Sequence, residues 1–520
     1  MSRSPGAAEM LTHVADPGTW RSWDQPIESR HDTDYEDELE RVRAGTGYDE
    51  AVITGSAQIR GHRIALIVGE FGFLAGSIGV DAGARIAEAF HRATAEGLPV
   101  LALPTSGGTR MQEGTTAFVQ MVRITAAVNA HKAACLPYLV YLRHPTTGGV
   151  LASWGSLGHI TLAEPEALVG FLGPRVFRAL TGDAIPDGVQ TAENLRDHGV
   201  VDAVVPADRL GAEVGSILDI LCAPASLLCA PPSLLGAPAS LLCAPASLAR
   251  HGSATRPSAG SPSSWECVTV SRDPRRPGAL DLLGDSRVLF TRVTGSGEGD
   301  VDDAVVLGLA RIDGRSCVVV AQDRTSRTSI GVAGLRIARR GIRLAEELRL
   351  PVVTVVDTAG ADLSRSAEES GLAGQIARCL ASMTSASVPT VSILLGQGGG
   401  GAALALLPAD RVLAAEHGWL SPLPPEGASA IVYRTVDHAE EMADRQGIGS
   451  AELLETGFVD EVVPESLSAA EHPAAFRAAV LDTLSRHMTE LGELSDDDRT
   501  YARLQRFDRL GSRVMTTARV

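Results

Sequence analysis

Short apolar runs alternate along this chain with longer stretches in which apolar residues return every three or four positions. Pro99-Val100-Leu101-Ala102-Leu103 reads as a strand that runs into Thr105-Ser106-Gly107-Gly108. Tyr138–Leu142, Pro351–Val356 and Thr390–Leu395 are runs of the same kind. Ala84–Ala95 and Leu335–Leu348 carry helical spacing just ahead of two of these strands. Residues 470–520 read as helical, with Ala478, Val480, Leu481 and Leu484 set among charges. Strands alternating with helices predict an α/β architecture.

The pattern occurs twice. Pro99 and Pro351 open matching strands 252 positions apart, and the same offset carries Gly108 to Gly360 and Pro137 to Pro389. It also carries Gly148-Gly149 to Gly400-Gly401 and Ala163-Glu164 to Ala415-Glu416. Gly199-Val200-Val201-Asp202 matches Gly457-Phe458-Val459-Asp460 at 258, so a few residues are inserted in between. One domain has been duplicated, which predicts two similar glycine-lined sites. The boundaries read as a tail and polar helix over 1–45, a first half over 46–220, a linker over 221–266, a second half over 267–465 and a C-terminal helical segment over 466–520. Within the linker, Cys-Ala-Pro-Ala-Ser-Leu-Leu recurs every seven residues from Cys222. Pro224, Pro231, Pro238 and Pro245 defeat a coiled coil, because each breaks an interior helical turn. The Pro/Ser/Gly composition predicts disorder there.

Composition narrows the function. A formal charge of −17 and 4% aromatic residues argue against a nucleic-acid surface. Of 46 basic residues only Lys132 is a lysine, so any lysine nucleophile would have to be that one. Residues 1–50 lack an apolar signal region, and no apolar run reaches the ~18–20 residues of a membrane span. The seven cysteines form no framework and no C-x-x-C pair. The expectation is a cytoplasmic protein with reduced thiols and no metal.

Candidate chemistry centres on the glycines. Tyr138–Leu142 leads to Thr147-Gly148-Gly149-Val150, and Thr390–Leu395 leads to Gly396-Gln397-Gly398-Gly399-Gly400-Gly401-Ala402-Ala403. A strand, then glycines, then small residues predicts a turn into a helix N-terminus, where backbone N–H groups lack partners. Fixed donors of this kind suit developing negative charge, as in an oxyanion hole. Gly396-x-Gly398-x-x-Gly401 matches a dinucleotide fingerprint in form, but Pro408 follows too soon for the crossover helix. No His-Glu-x-x-His, P-loop or Gly-x-Ser-x-Gly occurs. His131, His144 and His159 are each a candidate base but read first as surface or structural residues, and Glu113 and Glu426, candidates for acid–base work, read first as salt-bridge partners of nearby arginines. The sequence points to backbone catalysis.

These residues resemble the carboxyltransferase family of acyl-CoA carboxylases, in the crotonase superfamily. The first half is similar to the beta subunit through Phe71–Gly79, Ser106-Gly107-Gly108-Thr109-Arg110-Met111-Gln112-Glu113-Gly114, Pro145–Val150, Ala163-Glu164-Pro165 and Gly170–Val176. The second half is similar to the alpha subunit through Asp357-Thr358-Ala359-Gly360-Ala361, Ala367-Glu368-Glu369, Gly396–Ala403 and Pro425–Ser429. The resemblance implies two tandem crotonase-like ββα-spiral domains. It implies a reaction in which carboxybiotin on a carrier protein releases CO2, the biotin anion takes the α-proton of an acyl-CoA, and the enolate attacks CO2. Gly148 and Gly149 would then hold the enolate, and Gly401 and Ala402 the biotin ureido oxygen. Ser106, Gly107, Gly108, Thr109 and Arg110 would line the acyl-CoA side, and Gly360, Ala361 and Gly400 the biotin side.

The chain also departs from the family pattern. No Cys precedes Cys135, so the usual zinc ribbon is missing; Ala359, Gln397 and Ala402 replace a usual Pro, Glu and Gly, and Ile337 stands where the alpha subunit has Lys. No biotinylation site or ATP-grasp region is present, so the resemblance implies a biotin carboxylase and a biotin carboxyl carrier as partners. It also implies a homo-oligomer, with the first-half site of one chain against the second-half site of another. Rival readings are a malonyl-thioester decarboxylase and a non-catalytic scaffold for a biotin carboxylase.

Overall fold

The computed structural model describes residues 5–27, 33–171, 173–174, 178, 183–222 and 261–509, with the side chains of 33–34 and 508–509 left aside. The heptad repeat and its expected disorder lie outside the described residues. The chain divides into two compact units, residues 1–223 with 291–301, and residues 224–290 with 302–520.

Unit 1 opens with helices α1 (Ala7–Val14) and α2 (Thr33–Thr46). Then come strands β1 (Val52–Ile59) and β2 (His62–Gly69), helix α3 (Val80–Ala95) and strand β3 (Val100–Leu103). Helix α4 (Gln120–Ala133), strands β4 (Tyr138–Leu142), β5 (Ile160–Ala163) and β6 (Ala203–Val204), and helix α5 (Ala207–Leu221) complete it. The sheet order is β1-β2-β3-β4-β5-β6, with a two-residue strand, Arg21–Ser22, on the edge beside β1. β1 and β2 form an antiparallel hairpin, and every later pair is parallel. Parallel neighbours need crossover connections, and α3 and α4 supply two of them. β3 and β4 are buried along their whole length, as strands covered on both faces must be. Ile86, Phe90, Ile124 and Val128 from the helices close on Ala65, Val100, Tyr138 and Val140 from the sheet. Each fully buried aliphatic or aromatic side chain of that kind contributes ~1.5–3 kcal/mol.

The sequence reading passed over α1 as tail. Its apolar residues Ala7, Met10 and Val14 recur at helical spacing and are buried, and the helix packs against α5. The grouping of residues 291–301 with unit 1 was also not foreseen. Gly297 N–H donates to Gly199 O (2.9 Å), and Thr294 N–H to Asp202 Oδ1 (3.2 Å). A Cβ on Gly295 would stand 2.4 Å from the Gly199 Cα, so glycine is required on that side of the contact.

Unit 2 repeats the plan. Its elements are β7 (Val305–Ile312), β8 (Arg315–Gln322), α6 (Val332–Leu348), β9 (Val352–Thr358), α7 (Leu372–Ser385), β10 (Thr390–Gly399) and α8 (Gly400–Leu404). They continue as β11 (Arg411–Ala415), β12 (Trp419–Ser421), β13 (Glu461–Val463), α9 (Pro473–Gly492) and α10 (Asp496–Arg509). The strands run in the order β7-β8-β9-β10-β11-β13, with β12 also paired to β10. β7 and β8 are the antiparallel hairpin and the rest are parallel. Both units are therefore the α/β folds that the sequence predicts, each built on an antiparallel hairpin followed by a helix and parallel strands.

Matching devices hold the two sheets. Asp202 Oδ2 accepts from Thr161 N–H at 2.7 Å, and Asp460 Oδ2 accepts from Val412 N–H at 2.7 Å. In both units the Gly-x-Val-Asp turn thus ties the last strand to its neighbour, which is why the motif recurs although a few residues are inserted ahead of it.

Candidate active site

In open α/β sheets, ligands gather beyond the carboxyl ends of the strands. Both glycine loops lie there. In unit 1, β3 ends at Leu103, and Thr105 to Arg110 fold back against the loop after β2. Gly107 N–H donates to Ala75 O (2.9 Å), Ile78 N–H to Gly108 O (2.9 Å) and Arg110 N–H to Ile78 O (3.0 Å). Ser106 Oγ accepts from Gly108 N–H (3.0 Å) and closes the turn. Gly108 has φ +113° and Gly148 φ +65°, and a Cβ on Gly148 would reach the Gly108 Cα at 3.0 Å. Two glycines are needed where these loops cross.

The loop after β4 does not enter a helix. Residues 148–153 are turns, followed by a short 3₁₀ segment, Trp154–Ser156. Ala152 N–H donates to Gly148 O (3.0 Å), and the Ser153 hydroxyl donates to Gly149 O (2.5 Å). In place of the expected helix the chain makes a wider turn, in which Gly155 N–H bonds back five residues to Val150 O (2.9 Å).

The structure separates the Gly148-Gly149 pair. Gly148 N–H donates to Phe171 O at 2.9 Å and is already spent. Gly149 and Val150 N–H groups meet no protein acceptor among the described residues. Val150 was not singled out from the sequence, yet the offset that leads to Gly401 and Ala402 leads back to Gly149 and Val150. A Cβ on Gly149 would meet Thr109 Oγ1 at 3.2 Å and Met121 Cγ at 3.3 Å.

Arg110 is also placed differently from its expected role on the acyl-CoA side. Its side chain is 1% exposed and forms an ion pair with both carboxylate oxygens of Glu50. The guanidinium also donates to Ser77 O (2.8 Å) and Glu113 Oε1 (3.3 Å). Glu113 accepts further from the Tyr35 hydroxyl (2.7 Å) and Val80 N–H (2.6 Å). Arg110 therefore fixes the loops rather than offering its charge to solvent. Ser106 is likewise turned onto its own loop, whereas Gly107 is exposed and Thr109 half-exposed.

In unit 2, β10 runs straight into α8. Gly401 and Ala402 lie in the first turn of α8, so their N–H groups have no intrahelical acceptor. Gly360 has φ +148°, and its N–H bonds Thr358 Oγ1 at 3.2 Å. Ala361 bridges to Ile330 in parallel, as Thr109 bridges to Ile78. Gly400 has φ +65°, and a Cβ on Gly401 would meet Ile376 at 3.0 Å. Donors here suit an acceptor oxygen such as a ureido carbonyl.

The other titratable groups are structural. His131 is fully buried against Thr94 Oγ1 (2.9 Å), and burial drives its pKa down to about 4. His159 Nδ1 accepts from Tyr138 N–H and His144 Nδ1 from Leu168 N–H. Lys132 Nζ donates to Leu157 O (3.3 Å). Glu426 pairs with Arg272 (2.6 Å). Among the described residues no group of three or more His, Cys, Asp or Glu is placed to hold a metal, and no helix is long and apolar enough to cross a membrane.

The chain is similar to known proteins along nearly its whole length. The family profile described as "Carboxyl transferase domain" matches residues 12–220, and "Acetyl co-enzyme A carboxylase carboxyltransferase-like" matches residues 252–511. The chain is 50% identical over 509 residues to the "Probable biotin-dependent acyl-coenzyme A carboxylase beta3 subunit" of Mycobacterium tuberculosis, covering 97% of this chain and 98% of that protein. It is 37% identical over 527 residues to the "Acetyl-coenzyme A carboxylase carboxyl transferase subunits beta/alpha" of Salinispora arenicola, covering 97% and 90%. Among solved structures, the hexameric transcarboxylase 12S with methylmalonyl-coenzyme A bound superposes with a TM-score of 0.72 at 20% identity, over 93% of this chain and 90% of that one. At that identity the likeness is one of fold.

Proposed function

The chain belongs to the carboxyl transferase family of biotin-dependent acyl-CoA carboxylases, and from that premise we propose that it transfers a carboxyl group from carboxybiotin to acetyl-CoA or another short acyl-CoA. The observation that carries this reading is the pair of loops whose backbone donors have no protein acceptor among the described residues, Gly149 with Val150 and Gly401 with Ala402. Carboxybiotin on a separate carrier would supply the CO2 and the base for the α-proton. Gly149 and Val150 N–H hold the thioester oxygen as it gains charge in the enolate. Gly401 and Ala402 N–H would hold the ureido oxygen. Fixed N–H dipoles need no reorganisation as charge develops, which is why they outperform water. Gly108 and Gly148 give the thioester room to approach, and Arg110 with Glu50 keeps the floor of that site in place.

The acting form is a homo-oligomer. Exposed apolar residues stand at matched positions around both loops: Met111 (79%) with Leu363 (88%), and Phe171 (65%) with Leu423 (42%). Faces that match in this way suit pairing between copies.

The test is reconstitution with a biotin carboxylase and its biotinylated carrier, following labelled bicarbonate into a panel of acyl-CoAs. Carrier-dependent labelling of a short acyl-CoA is the expected result. CO2 release from malonyl thioester without biotin would favour a decarboxylase, and failure to bind any acyl-CoA would favour a scaffold.

A further inference from the structure

The five-residue helix α8 ends before its backbone satisfies every carbonyl of its first turn. Ala405 N–H donates to Gly401 O (2.9 Å) and Leu406 N–H to Ala403 O (3.2 Å). Ala402 O, between them, has no backbone donor among the described residues. Gln322, the last residue of β8, fills the gap with Nε2–H donating to Ala402 O at 2.9 Å. Oε1 of the same amide accepts from Asp357 N–H at 3.2 Å. The reverse amide orientation would set donor against donor and acceptor against acceptor, so the network fixes which way Gln322 faces.

Asp357 stands where the β9–β10 ladder slips. Val356 pairs with Leu394 but Thr358 pairs with Gly398, so extra residues of β10 face Asp357. Its Oδ1 accepts from Gln397 N–H (2.9 Å), and its Oδ2 lies 3.4 Å from Arg324 Nη1. Arg324 Nη2 donates in turn to Ser271 O (2.9 Å) and Asp273 O (3.0 Å). Gln322 and Asp357 are each 1% exposed. Buried amides left half-paired cost ~1–3 kcal/mol, and here both ends of Gln322 are used.

Unit 1 lacks this network. Val68 pairs with Leu103 as Ala321 pairs with Val355, so the strand register matches Gln322 to Gly69, and Asp357 and Ala402 match Thr105 and Val150. Gly69 has no side chain to bridge the loops, the Thr105 hydroxyl donates to His144 O, and Val150 O is served by Gly155 N–H. The first loop is held mainly by its own backbone, and the second by a side-chain relay.

We propose that Gln322 is a positioning residue for the biotin-side donors, anchoring the first turn of α8 through the Ala402 carbonyl and so keeping the neighbouring Gly401 and Ala402 N–H groups in place, with Asp357 and Arg324 holding Gln322 in turn. This rests on the assignment of that loop to biotin. Donors must point to where charge develops, and a misplacement of ~1 Å costs ~10²-fold.

The experiment uses the full chain with biotin carboxylase and biotinylated carrier. Gln322→Met keeps the length and removes both polar ends. Its kcat should fall on the order of 10- to 100-fold, the scale of partners one contact away from reacting groups, with KM for acyl-CoA within twofold. Gln322→Glu adds a readout that mere packing would not move. When protonated, the new carboxyl can still donate to Ala402 O and accept from Asp357 N–H. When ionised, it repels both Ala402 O and Asp357. Arg324 is the charged partner on the same side, and Arg276 acts on Asp357 from further off. Activity of Gln322→Glu relative to wild type should therefore be highest at low pH and fall as pH rises. A Gln322→Met enzyme with kcat within twofold of wild type, a matched loss of acyl-CoA affinity, or a flat relative pH profile for Gln322→Glu would overturn the proposal. If Gln322→Met fails to fold, the Gln322→Glu profile decides alone. Absence of carboxylation by the wild type would instead overturn the functional reading itself.

Discussion

Ser106 and Thr358 stand 252 positions apart and perform the same task. Each hydroxyl accepts the N–H of the glycine two residues on, at 3.0 Å for Gly108 and 3.2 Å for Gly360. Each also donates to that glycine's carbonyl, at 3.3 and 3.1 Å. Such local turns let a hydroxyl replace a backbone partner. The duplication has thus kept backbone geometry while the side chains around it diverged.

Gly149→Val tests the first loop. Its Cβ would lie 3.2 Å from Thr109 Oγ1 and 3.3 Å from Met121 Cγ, and the γ-methyls would fill the approach to the Gly149 N–H. Carboxylation should fall by ~10²–10³, the loss typical of one oxyanion donor. Unchanged circular dichroism with full turnover would remove the backbone-donor mechanism.

Asp410 tests the C-terminal helix. It is 4% exposed and accepts from Thr390 N–H (2.8 Å) and from Arg503 Nε (2.7 Å) and Nη2 (2.6 Å). Asp410→Ala leaves the Arg503 charge buried, a loss of ~3–5 kcal/mol. Hydrogen exchange should show opening around Thr390 to be easier by that amount, and Asp410→Asn should lose less. Equal protection in Asp410→Ala and wild type would refute the role.

The fold was legible because its signals are repeated. Strands such as Val100–Leu103 and Val352–Thr358 are buried on both faces and read as plain apolar runs. The glycine loops were legible because close backbone approach admits no Cβ. Other features were hidden because they depend on distant partners. Nothing local to Arg110 announces Glu50, 60 positions away, and nothing local to Gly148 announces the Phe171 carbonyl. Val150 could have been found from the offset, but its side chain carries no chemical signal. Gln322 could not, since its role arises from how a short helix ends.

His131 makes stability depend on pH. Burial holds its pKa near 4 against an ordinary 6.5, with the His159 charge adding to the effect and the Pro137 carbonyl opposing it. Between those values the unfolded chain takes up a proton that the folded one refuses. Stability is full above the unfolded pKa and is lost as pH falls through 6.5 towards 4, by up to about 3 kcal/mol. The urea midpoint should drop between pH 7 and pH 5 in wild type and drop less in His131→Leu. Parallel pH curves would exclude His131 as the cause.

Charge placed on the matched apolar faces should disrupt self-association. Met111→Glu with Leu363→Glu puts carboxylates where both side chains are exposed, so folding of the chain should be unaffected. Light scattering should show smaller particles, with carboxylation lost alongside. A monomeric wild type that turns over would refute the proposed assembly.

Ala402→Val should fail differently from Gly149→Val. Ala402 is fully buried in the first turn of α8, and its carbonyl is held by Gln322. Two added methyls overpack that turn by ~1–3 kcal/mol and shift the Gly401 and Ala402 donors. The Gly149 loop belongs to the other unit and rests on its own backbone bonds, so acyl-CoA binding should stay within a few-fold of wild type. Chemistry on the biotin side should fall on the order of tenfold or more, short of the ~10²–10³ of a fully lost donor. The measurements are acyl-CoA affinity by calorimetry and carboxybiotin formation from malonyl-CoA with free biotin. Gly149→Val should lose this second reaction too, because the enolate is formed in both directions, but it should also change how acyl-CoA is held. If Ala402→Val weakened acyl-CoA binding and biotin turnover equally while the fold stayed intact, the two loops would not divide the reaction as proposed.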